Sequence, residues 1–208
     1  MMFHELGFLA GTNGSAPISC PYDNRANGFI LSEGASVLVL ESKEHASGRS
    51  AKALAKVLGY GSAFESSNGN YFGSGKGLES AIVNALQDAA LNADDIDYIC
   101  SSANSTKELD MIEAKTIIKI FGNQVPVSSI KSMIGESFSA SGALAVSAAV
   151  GAMNMNFLPP NVNHQESNKN FSLDNVSNIA KEARVNTVLV LSSDPFGNNT
   201  ALILESPN

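Results

Sequence analysis

The sequence predicts an α/β fold, and three observations carry that prediction. Short runs rich in Val, Ile and Leu alternate with longer segments whose apolar residues recur at helical spacing. Gly, Asn and Pro punctuate nearly every change of period. The 208 residues are 44% hydrophobic, enough to bury one sizeable core.

In chain order, residues 11–27 are rich in Gly, Ser, Asn and Pro and read as loop. Residues 28–41 contain two apolar runs broken by Ser32-Glu33-Gly34, the pattern of two strands. A short helix over 42–48 follows, then a strand over 53–60. Residues 61–77 form a polar loop. From Leu78 through Ala90 the apolar positions Leu78, Ile82, Ala85, Leu86 and Ala89 fit one helix face, and Asn92 ends the pattern. A strand over 96–101, a helix over 108–121 stopped by Gly122-Asn123, and a strand over 125–130 follow. Residues 137–156, dense in Ala, Ser, Gly, Val and Met, read as a helix buried nearly all round. Pro159-Pro160 terminates it. After a long polar connection over 161–181, strands at 187–192 and 200–205 form a hairpin. From residue 53 onward this order implies a largely parallel sheet with an antiparallel edge from the closing hairpin.

Charge and composition exclude several functions. The net charge is −7 and the basic residues are scattered, so the sequence has no concentrated positive patch for nucleic acid. No run approaching the ~20 apolar residues of a membrane span is evident. The N-terminus has no basic segment followed by a long apolar core, so it does not read as a signal peptide. Cys20 and Cys100 have no metal-ligand spacing and imply no disulfide framework. A cytoplasmic, reduced protein with no metal and no cofactor is expected.

Five segments, in order, carry a resemblance. They are Pro21-Tyr22-Asp23-Asn24-Arg25-Ala26-Asn27-Gly28-Phe29 continuing through Glu33-Gly34-Ala35; Ser102 through Glu113; Val127-Ser128-Ser129-Ile130-Lys131-Ser132 with Gly135-Glu136; Pro159-Pro160-Asn161; and Phe196-Gly197. Together they resemble the β-ketoacyl-acyl-carrier-protein synthase family of the thiolase superfamily. The match runs along the last strands of that family's first half and all of its second half. The resemblance implies a thiolase-like half with a five-stranded mixed sheet and helices on both faces. It divides the chain into residues 1–52, a remnant of the first half with a loop, two strands and a short helix, and residues 53–208, the C-terminal domain.

The family condenses acyl chains by a decarboxylating Claisen reaction. A Cys thiolate takes the acyl group, and two His donate hydrogen bonds to the developing enolate. Matching Asp110 and Glu113 to the family's Asp and Glu places Ser102 at the first His position, and the Lys131 motif places Glu136 at the second. His4, His45 and His164 fall in neither motif. The resemblance implies a Lys131–Glu113 ion pair, with Asp110 retained beside it, and Phe196 as a gate over the acyl pocket. Ser102, Glu136 and Phe196 are expected to line a small polar pocket above that pair. Cys20, before a proline in a loop, and Cys100, in an apolar strand, read as structural thiols.

Three functional readings follow. The first is a catalytically degenerate ketosynthase-like subunit of a type II fatty-acid or polyketide system. It would act like a chain-length factor beside an active synthase and an acyl carrier protein, in a hetero- or homodimer. The second is the second half of a split or truncated 3-oxoacyl-acyl-carrier-protein synthase, an acyltransferase active only with a Cys-bearing N-terminal half. The third is a non-functional remnant or a stand-alone binding module.

Overall fold

The structure is a computed structural model that describes residues 2–12, 14–66, 71, 73–168, 170 and 172–207. Residues 67–70 and 72 of the expected polar loop, and 169 and 171 of the expected connection, lie outside the described residues. The helices are α1 (Met2–Glu5), α2 (Lys43–Gly48), α3 (Lys76–Ala89), α4 (Lys107–Phe121), α5 (Lys131–Ile134) and α6 (Ser141–Met155). The strands are β1 (Lys56–Phe64), β2 (Tyr98–Cys100), β3 (Pro126–Ser128), β4 (Phe157–Leu158), β5 (Asp174–Asn175), β6 (Lys181–Glu182), β7 (Thr187–Ser193) and β8 (Asn198–Glu205).

Local chemistry sets the ends of these elements. Ser42 caps α2 by accepting the His45 N–H at 3.2 Å. Ala90 and Asn156 close α3 and α6 in the left-handed region, and Gly122, at φ 69°, closes α4. Six strands then assemble in the order β1-β8-β7-β2-β3-β5. β7, β2, β3 and β5 run parallel, while β8 is antiparallel to both β7 and β1.

Alternation along the strands splits the core into two layers. Ile99, Val127, Leu189, Leu191, Ala201 and Ile203 face α3 and α4, which supply Leu78, Ile82, Leu86, Ala114 and Ile117. On the other face Tyr98, Cys100, Val188, Val190 and Leu204 meet Ala145, Ala149, Ala152 and Met153 of α6. Helices on both faces of a mixed sheet match the sequence expectation.

Five expectations need correction. The sheet has six strands, not five, because Asp174–Asn175 pairs with β3 inside what reads as polar connection. The closing hairpin is not an edge: β8 sits between β7 and β1. Residues 28–41 form no strand beyond single bridges at Phe29 and Leu31, since nothing among the described residues pairs with their backbone as a ladder. Finally, α6 is buried on one face only, through Ser141, Ala145, Ala149, Ala152 and Met153. Residues Phe138–Met155 are long and apolar enough to cross a membrane (18 residues, mean hydropathy 1.3), contrary to the sequence reading. Here the Ala face of that stretch lies on the sheet.

Candidate functional site

The site forms where β2, β3 and β7 end. Open α/β sheets bind ligands at this edge, because chain leaving parallel strands converges there. Chain leaving β2 supplies residues 101–106, chain leaving β3 supplies Ser129 to Glu136, and the β7–β8 turn supplies Asp194 to Gly197. The Ser101 amide donates to the Ser128 carbonyl at 2.9 Å, joining the first two segments.

Ser102 is buried at the centre. Its amide donates to Glu113 Oε1 at 2.8 Å, and its carbonyl accepts from Lys131 Nζ at 2.9 Å. Its hydroxyl oxygen accepts the Ser193 amide at 3.0 Å. Lys131 Nζ also donates to Glu136 Oε2 at 2.8 Å, and both side chains are more than nine-tenths buried. Glu136 Oε2 takes a second bond from Asn104 Nδ2 at 2.9 Å. Its Oε1 accepts from Ser141 Oγ at 2.7 Å and the Phe138 amide at 3.0 Å. Burial alone would raise the Glu136 carboxyl; Lys131 and these donors outweigh it and hold it below its usual range. The carboxylate is thus fully occupied.

The expected Lys131–Glu113 pair does not form, because the ammonium turns to Glu136 instead. Glu113 uses its other oxygen to accept from the Tyr22 hydroxyl at 3.2 Å. Asp110, one turn earlier on α4, accepts the Tyr22 amide at 2.9 Å and the Asn104 amide at 3.1 Å. The two carboxylates clamp the N-terminal segment at Tyr22 to the loop after β2. Burial pushes both carboxyls up to about 7. At Glu113 the Ser102 amide and the Lys131 charge oppose the rise; at Asp110 the backbone donors oppose it.

Phe196 stands apart from this network. It is 46% exposed on the hairpin turn, with its ring edge-on to Tyr71 at 6.4 Å. Asp194 fixes the turn by accepting the Phe196 and Asn198 amides. Between Ser101, Lys131, Ser141, Ala145, Leu191 and Ser192 lies a cavity of about 10 Å³, space for about one water molecule. Both cysteines are buried free thiols, and burial pushes Cys100 up to about 12, so neither is an activated nucleophile. His164 bonds Asn175 and Ser167, and His45 pairs with Glu41, so no imidazole enters the network.

Of the sequence-derived residues, Ser102, Glu113, Lys131 and Glu136 share one hydrogen-bonded cluster, and Asp110 joins it through Tyr22 and Asn104. Sequence reasoning missed Tyr22, Asn104 and Ser141. Tyr22 sits inside a matched motif, but nothing in its spacing marks a phenol reaching a residue 91 positions away. Chemically, the arrangement holds a neutralised ion pair and a hydroxyl bonded to backbone where the resemblance requires two N–H donors.

Comparison with known proteins identifies the family to which this fold belongs. The family model described as the C-terminal domain of beta-ketoacyl synthase matches residues 54–165. The ketoacyl synthase alpha subunit of the tetracenomycin polyketide synthase of Streptomyces glaucescens is 37% identical over 204 residues, covering 95% of this chain and 47% of that protein. The solved ishigamide ketosynthase/chain length factor superposes with a TM-score of 0.92 at 34% identity, covering all of this chain and 50% of its own. A type II acyl-carrier protein in complex with its ketosynthase bound to the hexaketide gives the same TM-score at 27% identity, with 52% of that chain covered. The chain spans about half the length of the relatives it matches. With the family model, the curated relatives and the fold in agreement, the chain belongs to the β-ketoacyl synthase family and corresponds to its C-terminal half.

Proposed function

We propose that this chain is a ketosynthase-like subunit of a type II fatty-acid or polyketide system, catalytically degenerate and cytoplasmic. It completes a complex with an active β-ketoacyl synthase, in the manner of a chain-length factor, and works alongside an acyl carrier protein. Residues 53–208 act as the C-terminal domain and residues 1–52 as a remnant of the first half. The observation that carries this reading is Glu136, whose carboxylate is buried against Lys131 where a donor to an enolate is required. Loss of one such donor costs about 10²–10³ in rate, and a carboxylate in that position repels the developing negative charge. Ser102 compounds the loss, because its hydroxyl is engaged with the Ser193 backbone.

The retention of Asp110, Glu113 and Lys131, each bonded to the backbone of residues 102–104, favours a second reading, a half-synthase that a Cys-bearing first half would complete. Co-expression with neighbouring ketosynthase-like chains, followed by native mass measurement, separates the two. A complex with a complete ketosynthase supports the first reading. A complex with a Cys-bearing first half alone supports the second. A chain that stays monomeric in both mixtures contradicts both.

A further inference from the structure

Four donors converge on one carboxylate: Lys131 Nζ and Asn104 Nδ2 reach Glu136 Oε2, while Ser141 Oγ and the Phe138 amide reach Oε1. Two donors on each oxygen match the planar lone pairs of a carboxylate. Each donor is also held by something other than Glu136. Lys131 Nζ bonds the Ser102 carbonyl at 2.9 Å, and the Lys131 carbonyl accepts from Ser19 Oγ at 3.0 Å. Asn104 Oδ1 accepts the Thr106 amide at 3.1 Å, which turns its Nδ2 toward Glu136. Ser141 Oγ lies 3.1 Å from Ser137 Oγ. Phe138, in the left-handed region at φ 48°, has its ring stacked on Phe3 at 4.8 Å and edge-on to Phe29 at 5.6 Å. The donor set is therefore built into the fold, with Glu136 as its occupant.

We propose that this donor set is a binding site for a short free carboxylate, and that Glu136 keeps it shut by acting as a ligand built into the chain. The inference stands on these bonds alone and holds whether or not the chain has a partner. The ligand class follows from charge and size. Lys131, Asn104 and Ser141 are all more than nine-tenths buried. The Lys131 charge therefore requires an anion, which the carbonyl of a neutral ester or thioester does not supply. Truncating Glu136 at Cβ removes Cγ, Cδ and both oxygens, the heavy atoms of an acetate ion. The adjoining cavity of about 10 Å³, which Lys131 and Ser141 line, adds room for about one water molecule and no branched acid. Left empty, the site would hold buried donors, one of them charged, without acceptors, and that cost favours entry of an outside anion. Because the donors are already in position, the anion has little ordering cost to meet.

The test is acetate rescue of Glu136→Ala in the full chain near neutral pH. Melting temperature is followed against sodium acetate and against sodium chloride at equal ionic strength. The variant is expected to melt below wild type and to rise with acetate along a saturable curve, with a midpoint of roughly millimolar order. Wild type and Glu136→Gln, whose sites stay filled, should respond equally to the two salts. Lys131→Met with Glu136→Ala removes the charge and should lose the acetate response. Pivalate, too bulky for the vacated space, should raise Glu136→Ala no more than chloride does. Should Glu136→Ala fail to fold in chloride, refolding yield replaces the melt: acetate should then restore the far-ultraviolet circular dichroism signal where chloride does not. An acetate effect on Glu136→Ala no larger than that of chloride overturns the site. So does an effect equally large in wild type, or one that survives the loss of Lys131.

Discussion

At the residue scale, Lys131 and Glu136 are the pair on which the site turns. Each charge has left water and each is compensated by the other. Removing one partner of such a pair strands a buried charge and typically costs about 3–5 kcal/mol, whereas removing both is far milder. Lys131→Met should therefore destabilise by that amount in denaturant unfolding, and Lys131→Met with Glu136→Gln should recover most of it. Equal loss in the single and double variants would show that the two do not act as a pair. Asp110 and Glu113 make a second prediction. Their carboxyls titrate near 7 when folded and near 4 when unfolded. Between those values the unfolded chain releases protons that the folded chain keeps, so stability falls as pH rises from about 5 to 7. Asp23 and Glu136, held low, are ionised in both states across that window and do not oppose the trend. Glu113→Gln, which keeps an acceptor for the Ser102 amide, should flatten the slope of unfolding free energy against pH. An unchanged slope would remove Glu113 from the account. Ser102, Glu113, Lys131 and Glu136 come together in one hydrogen-bonded cluster, and motif spacing alone pointed to all four. It misassigned the Lys131 partner because a side chain with two acceptors in reach chooses by packing, which spacing does not encode.

At the element scale, helices α3 and α4 were legible because long 3.6-residue periods leave little ambiguity. Residues 28–41 have the composition of strands and form none, since a strand exists only with a partner ladder. β5 was missed for the opposite reason: Asp174–Asn175 has no strand composition and is recruited by the edge of β3. The packing of α3 on β1 hides a further constraint. A Cβ at Gly59 would lie 2.4 Å from the Ala85 carbonyl oxygen, and one at Gly61 would lie 2.0 Å from that of Ala81. Helix and strand backbones meet directly there, and neither can retreat without unpacking Ile82 and Ala85. Gly61→Ala should cost about 1–3 kcal/mol or more in thermal or denaturant unfolding, although Ala suits a strand no worse than Gly. A neutral result would mean that α3 can shift outward freely.

At the scale of the whole molecule, family and layer architecture were readable from five motifs in order, although none was decisive alone. The sequence did not show that α6 would carry an open face. Its small residues read as buried all round, but here they pack on one sheet and leave the other side half exposed. That open face and the unpaired run beside it are the physical grounds on which a partner is proposed for this chain. The central claim is that the chain holds the synthase framework while its two donor positions no longer serve the chemistry. Release of labelled carbon dioxide from malonyl-acyl carrier protein by the purified chain tests it most directly. The account predicts release at the uncatalysed background. Release well above background that disappears when Cys20 or Cys100 is replaced would contradict it.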